Sequence, residues 1–268
     1  MKIFVIGNTG MLGNYVYKYL KSKDYDIIGF NRDNFCSIDF PEKSYLSYYD
    51  NSIIINCVGL IPQRSGGKSK YDYIKANTVL PHKLQQICEK KESKLIHITT
   101  DCVFSGNKGV YSEISTHDCV DIYGRTKSLG EPEKATIIRT SIIGEELKNK
   151  KSLLEWCKEN KNKEVNGYVN HIWNGITCYQ FAKICEEIIE KKLFWSGVKH
   201  IYSSDNINKL NLIELISNIY NLIITVKPYQ TENKCDRSLI SIKDNINFVI
   251  PTLLEQIKEQ KIFGEKTF

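Results

Sequence analysis

The chain opens on four consecutive apolar residues, Ile3-Phe4-Val5-Ile6, with no polar position among them. Such a run fits a parallel strand buried on both faces, whereas a strand with one wet face would alternate. Further strands are expected at Asp26 to Phe30, Ser52 to Val58, Leu95 to Thr100 and Ala135 to Ser141, with Ile38-Asp39-Phe40 as a short third strand. Segments of helical spacing separate them. One runs to about Lys21, one spans Tyr71 to Lys90 and one carries Tyr123 and Lys127. In the second of these, Ile74, Val79, Leu84 and Ile87 are core candidates and Asn77 is a polar interruption. Strands alternating with helices over residues 1–144 predict an α/β fold, a Rossmann-type doubly wound parallel sheet with right-handed crossovers. Ligands of such sheets sit beyond the carboxyl ends of the strands. Gly7, Gly59, Thr100 and Ser141 should all fall on that edge.

Beyond Gly144 the elements shorten. Leu153 to Lys158, Cys178 to Glu190 and Leu210 to Tyr220 read as helices, with extended pieces at Val198 to Tyr202 and Leu222 to Val226. A last helix starts near Pro251, a residue suited to a first turn. The expected division is a dinucleotide-binding domain over 1–144 and, over 145–268, a smaller α/β lobe that mainly binds substrate and returns segments to the sheet.

Composition narrows the class. With 268 residues, 41% of them hydrophobic and 25% charged, the chain can bury a sizeable core and reads as a soluble globule. The formal charge of +6 comes from Lys and Arg spread along the sequence. No basic stripe is interleaved with aromatics, so a nucleic-acid site is not expected, although the field suits a small anionic substrate. Nine cysteines, none spaced as Cys-x-x-Cys, argue against both a disulfide framework and a zinc site, so no metal is expected. Reduced thiols fit a cytoplasmic location. Met1-Lys2 leads straight into a strand, which leaves no room for a signal peptide, and no apolar run reaches membrane-spanning length.

The first strand runs into Gly7-Asn8-Thr9-Gly10-Met11-Leu12-Gly13 and then a helix. In a strand–turn–helix of this kind the first glycine permits the tight turn and the second lets backbone approach a pyrophosphate. The third lets the helix pack on the strand, and the helix N-terminus faces the phosphates. An acid at the tip of the second strand would favour NAD. Here Asn31 and Arg32 stand there, so NADPH is expected, with NADH also open. Asp39 and Phe40 would lie beside the adenine. Cys57, Val58 and Gly59, together with Asn77, Thr99 and Ser141, complete the expected cofactor lining. Tyr123 and Lys127, at i and i+4, share one helical face, which allows the ammonium to lower the phenol's pKa and make it a general acid.

Together the glycine turn, Thr100 and Tyr123-x-x-x-Lys127 resemble the extended short-chain dehydrogenase/reductases. Several stretches are similar to dTDP-4-dehydrorhamnose reductases: Thr99-Thr100-Asp101-Cys102-Val103-Phe104-Ser105-Gly106, Tyr111-Ser112-Glu113, Tyr123 to Glu131, Arg139-Thr140-Ser141, Trp173 to Thr177 and Asp236 to Leu239. The resemblance implies NADPH-dependent reduction of the C4 ketone of a nucleotide-linked 4-keto-6-deoxy sugar. Tyr123 would protonate the C4 oxygen, Lys127 would bind the nicotinamide ribose and lower the phenol's pKa, and Thr100 would hydrogen-bond the carbonyl. Thr100, Asp101, Cys102, Val103, Tyr123, His171, Trp173 and Arg237 would line the sugar, and a homodimer is possible. One position departs from the family, which has tyrosine where this chain has Cys102. GDP-fucose synthases are similar in placing a cysteine there and add a histidine from the later half, a role His171 could fill. That leaves a bifunctional 3,5-epimerase/4-reductase as a second reading, against a packed thiol and a loop histidine as the plainer one. A third reading, a non-catalytic NADP-binding regulatory module, is opposed by the intact Thr100, Tyr123 and Lys127.

Overall fold

Branched aliphatic runs build the central sheet. The computed structural model describes residues 1–32, 50–64, 66–148, 150–243 and 246–267. In it β1 (Ile3–Ile6), β2 (Ile27–Phe30), β3 (Ile53–Asn56), β4 (Lys94–Thr100) and β5 (Thr136–Thr140) pair in parallel. The chain continues through β6 (Ile142–Ile143), β7 (Glu164–Tyr168), β8 (His171–Trp173) and β9 (Ile176–Thr177). Next, β10 (Gly197–His200) returns to pair with β5, giving the order β10-β5-β4-β3-β1-β2. Later come β11 (Ile207–Asn208), β12 (Thr225–Tyr229) and β13 (Cys235–Asp236), which form small sheets with β8 and β7. Because β1 has β2 on one side and β3 on the other, the strand order reverses at β1, which opens a crevice at its carboxyl end. The expected strand at Ile38 to Phe40 lies outside the described residues.

Helices cover both faces. On one, α1 (Met11–Lys21) packs Tyr15, Val16 and Leu20 against Phe181, Ile184 and Ile188 of α6 (Cys178–Glu190). On the other, the short α2 (Lys70–Ile74) leads through a π-helical turn at Lys75–Val79 into α3 (Leu80–Lys90), whose Leu80, Leu84 and Cys88 pack on Phe4, Ile6 and Ile54. A single α-helical period over Tyr71 to Lys90 is therefore corrected. A π turn carries an extra residue and rotates the phase of the residues after it. Ile74 and Val79 consequently face solvent, at 40% and 37% exposure, while Asn77 is buried at 1%.

Four helices complete the fold: α4 (Ile122–Ser128), α5 (Leu153–Glu159), α7 (Lys209–Tyr220) and α8 (Leu253–Thr267). The last three build a second core around Leu154, Trp173, Leu212, Ile216 and Ile257. The piece expected to be extended from Leu222 starts only at Thr225. Asn221 and Ile223 have φ of 53° and 55°, a left-handed backbone that cannot run as strand. No helix among the described residues is long and apolar enough to cross a membrane.

Candidate active site

The cofactor edge begins at Gly7, whose φ of +86° turns the chain out of β1. A Cβ at Gly13 would lie 2.2 Å from the Gly7 carbonyl oxygen, so α1 sits closer to the turn than any side chain permits. Gly10 is the N-cap of α1 and offers no side-chain cap, which leaves the first-turn N–H groups facing outward. Nearby, the buried Asn8 Oδ1 and Thr99 Oγ1 have no hydrogen-bond partner among the described residues. A tight glycine turn, an uncapped helix start and orphaned buried oxygens fit a dinucleotide phosphate and ribose. Thr9, Met11 and Leu12 lie on the same turn and helix start, and the Leu12 side chain is buried in the core. Asn31 is half-buried and Arg32 exposed at the tip of β2. Asp39 and Phe40 lie outside the described residues.

Beyond β3, Val58 N–H donates to Asn56 Oδ1 at 3.1 Å, shaping the Cys57-Val58-Gly59 loop. Asn77 sits behind this loop. Its Oδ1 accepts from Leu60 N–H at 2.8 Å, while its Nδ2 donates to Leu60 O at 3.0 Å and to Thr126 Oγ1 at 3.1 Å. Its amide is thus spent on clamping the loop to α4. Ser141, at the end of β5, is half-buried, and its carbonyl accepts from Ile176 N–H at 2.9 Å.

Helix α4 is seated by small residues. Asp121 caps it, accepting from Gly124 N–H at 2.9 Å. Cβ atoms at Gly124 and Gly130 would lie 2.3 Å from Cys102 O and 1.8 Å from Asn77 O. This close approach sets Tyr123 beside Thr100 at the end of β4, close enough for the threonine to act on the phenol's acidity. Thr100 Oγ1 in turn donates to Asp101 Oδ1 at 3.1 Å and accepts from Cys102 N–H at 3.1 Å. Lys127 is 3% exposed and donates to Ile98 O at 2.7 Å; burial lowers its pKa to about 8. The expected lowering of the phenol by Lys127 is not what this arrangement gives. Burial raises the Tyr123 pKa above its ordinary value, with Cys102 and Asp101 adding and only Thr100 opposing. The ammonium is spent on the Ile98 carbonyl and on balancing its own desolvation.

The turn after Thr100 separates the expected sugar-lining residues. Asp101, 5% exposed, keeps a carboxyl raised by burial, against the pull of Arg237, Thr100 and Lys209. Cys102 is half-buried; its thiol donates to Asp101 Oδ1 at 3.6 Å and accepts from Arg237 Nη1 at 3.7 Å. Burial, helped by Asp101, pushes that thiol up to about 12. Val103, expected beside the sugar, is fully buried with Phe104, Tyr111 and Leu239, because the 3-10 turn at Asp101–Val103 points it into the core. Arg237 is fixed by donating through Nε to Phe104 O at 2.9 Å. His171 Nε2 meets Thr231 Oγ1 at 2.9 Å and its ring lies 4.8 Å from that of Tyr168, so His171 and Cys102 have separate partners. Trp173 is 4% exposed and lies beneath the Lys209 ammonium, 5.1 Å from its ring centroid.

Lys209 was missed from the sequence. Burial lowers its pKa, and Asp101, Cys102, Cys235 and Arg237 are its electrostatic neighbours. One signal was available: lysine at the first position of a helix opposes the helix dipole. Also unforeseen is a buried network behind α4. Arg139, 1% exposed, pairs with Glu131 at 2.6 Å and donates to His200 Nε2 at 2.9 Å and His117 Nε2 at 2.8 Å. His117 Nδ1 reaches Ser128 of α4 at 2.6 Å. Among the described residues no cluster of three or more His, Cys, Asp or Glu could hold a metal.

A family model described as the RmlD substrate binding domain matches residues 1–238. The chain belongs to this family. Methionine adenosyltransferase 2 subunit beta of Danio rerio is 24% identical over 248 residues, 82% of this chain and 74% of that protein. A dTDP-4-dehydrorhamnose reductase of Aggregatibacter actinomycetemcomitans is 26% identical over 217 residues, 74% of this chain and 71% of that one. With two further relatives the match spans about half their length. The fold matches the crystal structure of dTDP-4-dehydrorhamnose reductase from Bacillus anthracis in complex with NADP. That likeness has a TM-score of 0.79 at 19% identity and covers 98% of this chain and 99% of that one.

Proposed function

We propose that this RmlD-family chain is an NADPH-dependent reductase of the C4 ketone of a nucleotide-linked 4-keto-6-deoxy sugar. One observation carries the reading: Thr100 and Tyr123 stand side by side at the sheet edge that also bears the glycine turn, with Lys127 one helical turn away. Bound there, the nicotinamide would supply the hydride. Tyr123, whose raised pKa keeps the phenol protonated at neutral pH, delivers a proton to the C4 oxygen as charge builds on it. Thr100 holds that oxygen by a second hydrogen bond, and Lys127 provides positive charge behind the helix. Arg32 at the β2 tip suits the 2′-phosphate of NADP. The same reading puts the enzyme in the cytoplasm with a soluble nucleotide sugar, and allows a homodimer. Replacing Tyr123 by Phe should cut NADPH oxidation with the dTDP-linked ketosugar by at least about a thousandfold while NADPH binding holds; turnover near wild type would remove the mechanism.

The bifunctional epimerase reading needs a base beside the ketone. A thiol pushed up to about 12 is a weak one at neutral pH, and His171 is engaged with Thr231. Both observations favour plain reduction. In deuterated water, wild-type enzyme should therefore leave C3 and C5 of the product unlabelled; label that disappears in Cys102→Ser would establish epimerisation instead. One similar protein is named as a subunit of methionine adenosyltransferase, and here the complete Thr100, Tyr123 and Lys127 set supports catalysis.

A further inference from the structure

Successive residues of α4 are held from different sides. Lys127 points at the sheet, where its ammonium donates to Ile98 O at 2.7 Å. Thr126 takes the flank toward the π-helical turn: its hydroxyl accepts from Asn77 Nδ2 at 3.1 Å, and its carbonyl accepts from the Thr78 hydroxyl at 2.7 Å. At about 100° of rotation per residue, Ser128 lies on the opposite flank. There its Oγ meets His117 Nδ1 at 2.6 Å. Tyr123 stands one turn before Lys127 on the same inner face. The opposed ties at Thr126 and Ser128 therefore set the roll of the helix about its axis, and with it the direction of the phenol.

The tie at Ser128 has a fixed anchor. The loop that carries His117 is pinned by its neighbour Asp118, whose carboxylate accepts from the Ser105 N–H and the Ser105 hydroxyl, each at 2.7 Å. His117 Nε2 stands 2.8 Å from Arg139 Nη2. A guanidinium only donates, so Nε2 is the accepting nitrogen and Nδ1 carries the proton that points at Ser128. Arg139 is itself held: it is 1% exposed, meets both carboxylate oxygens of Glu131 at 3.2 and 2.6 Å, and donates to His200 Nε2 at 2.9 Å. Burial and the Arg139 charge hold the His117 imidazole below the usual histidine range, which keeps the ring neutral at neutral pH.

We propose that His117 and Ser128 are positioning residues, a latch in which Arg139 fixes the Nδ1–H tautomer of His117 and that N–H holds the last turn of α4 so that Tyr123 is aimed at the ketone. This rests on the reductase reading above. No proton passes through the latch; its effect is geometric. Without it the side-chain ties on α4 come from the π turn and α3, through Asn77, Thr78 and the His82 ring at Leu129 O, and the helix rolls toward them.

The test is Ser128→Ala, assayed with NADPH and the dTDP-linked 4-keto-6-deoxy sugar. Alanine suits a helix better than serine, so the Tm should hold. The kcat should fall at least about tenfold while the Kd for NADPH stays within about threefold, because a misaimed acid costs turnover and leaves the glycine turn's grip on the cofactor intact. Ser128→Thr keeps the hydroxyl and should recover kcat to within about threefold of wild type. Ser128→Cys fills the same space with a poor acceptor and should stay slow, which separates the hydrogen bond from packing. Independently of turnover, the ring-nitrogen NMR spectrum of wild type at neutral pH should show His117, identified by the signal lost in His117→Asn, with its proton on Nδ1. The latch is overturned if Ser128→Ala keeps kcat within about twofold of wild type, if cysteine restores turnover as well as threonine does, or if His117 carries its proton on Nε2. A wild type that oxidises no NADPH with any nucleotide ketosugar would instead defeat the reductase reading, and the latch's role in catalysis with it, whichever tautomer His117 shows.

Discussion

Lys127→Met should make the cofactor-free protein more stable while abolishing its activity. In the folded chain Lys127 is 3% exposed with one hydrogen bond, to Ile98 O, and its pKa falls from 10.5 to about 8, chiefly through burial. A displacement of that size corresponds to about 3 kcal/mol favouring the neutral form. Because the folded pKa lies below the unfolded one, the unfolded chain binds more protons between about pH 8 and 10.5, and stability rises with pH across that window. Below about pH 8 the full penalty is present. Methionine removes the charge but leaves Ile98 O without its donor, at a cost of about 1–2 kcal/mol. The net gain at pH 7 is therefore about 1–2 kcal/mol, or several degrees in Tm for a chain of this size. Thermal unfolding at pH 7 and across pH 7–10.5 reads both parts: a higher Tm for Lys127→Met, and a rise with pH in wild type that the variant lacks. A lower Tm in the variant, or the same pH dependence in both proteins, would refute the reasoning.

The buried network predicts acid sensitivity. His200 is neutral, accepting from Arg139 at Nε2 and reaching Ile240 O at 2.8 Å through Nδ1, and burial lowers its pKa from 6.5 to about 4. The unfolded state then binds more protons between those values, so stability is lost as pH falls through that window, by at most about 3 kcal/mol. His200→Gln should flatten the slope in a pH series of urea denaturation; an unchanged slope would discard the assignment. At the rear of α4, Gly130→Ala places a Cβ 1.8 Å from Asn77 O and must push the helix away, costing about 2 kcal/mol and most of the activity. Gly59→Ala, whose Cβ would meet only Asn77 Oδ1 at 4.0 Å, serves as the control that should fold normally. Equal Tm values for the two alanine variants would show that the contact is not limiting.

The fold was legible because parallel strands buried on both faces leave unbroken apolar runs, as β1 and the three isoleucines of β3 do. The glycine turn was legible because its chemistry is local, one strand, one turn and one helix. The hidden parts depend on phase and on distance along the chain. The π turn at Lys75–Val79 has no apolar signature of its own, yet it turns Asn77 inward and Ile74 outward, so helical periodicity misplaces both. Val103 was misplaced for a related reason, a 3-10 turn of three residues after a strand end. Lys209 comes from 109 residues beyond Thr100, carried to the site because β11, immediately before α7, pairs with β8 at Ile207 and Trp173. Spacing alone shows that Tyr123 and Lys127 share a helical face and is silent on where the ammonium is spent. Here it is spent on Ile98, so the groups that set the phenol's acidity are those of the following turn, Thr100, Asp101 and Cys102. The cysteine that replaces the family's tyrosine acts in that setting first as an electrostatic neighbour of the phenol. A variant carrying a permanent anion at position 102 should therefore raise the phenol's pKa further.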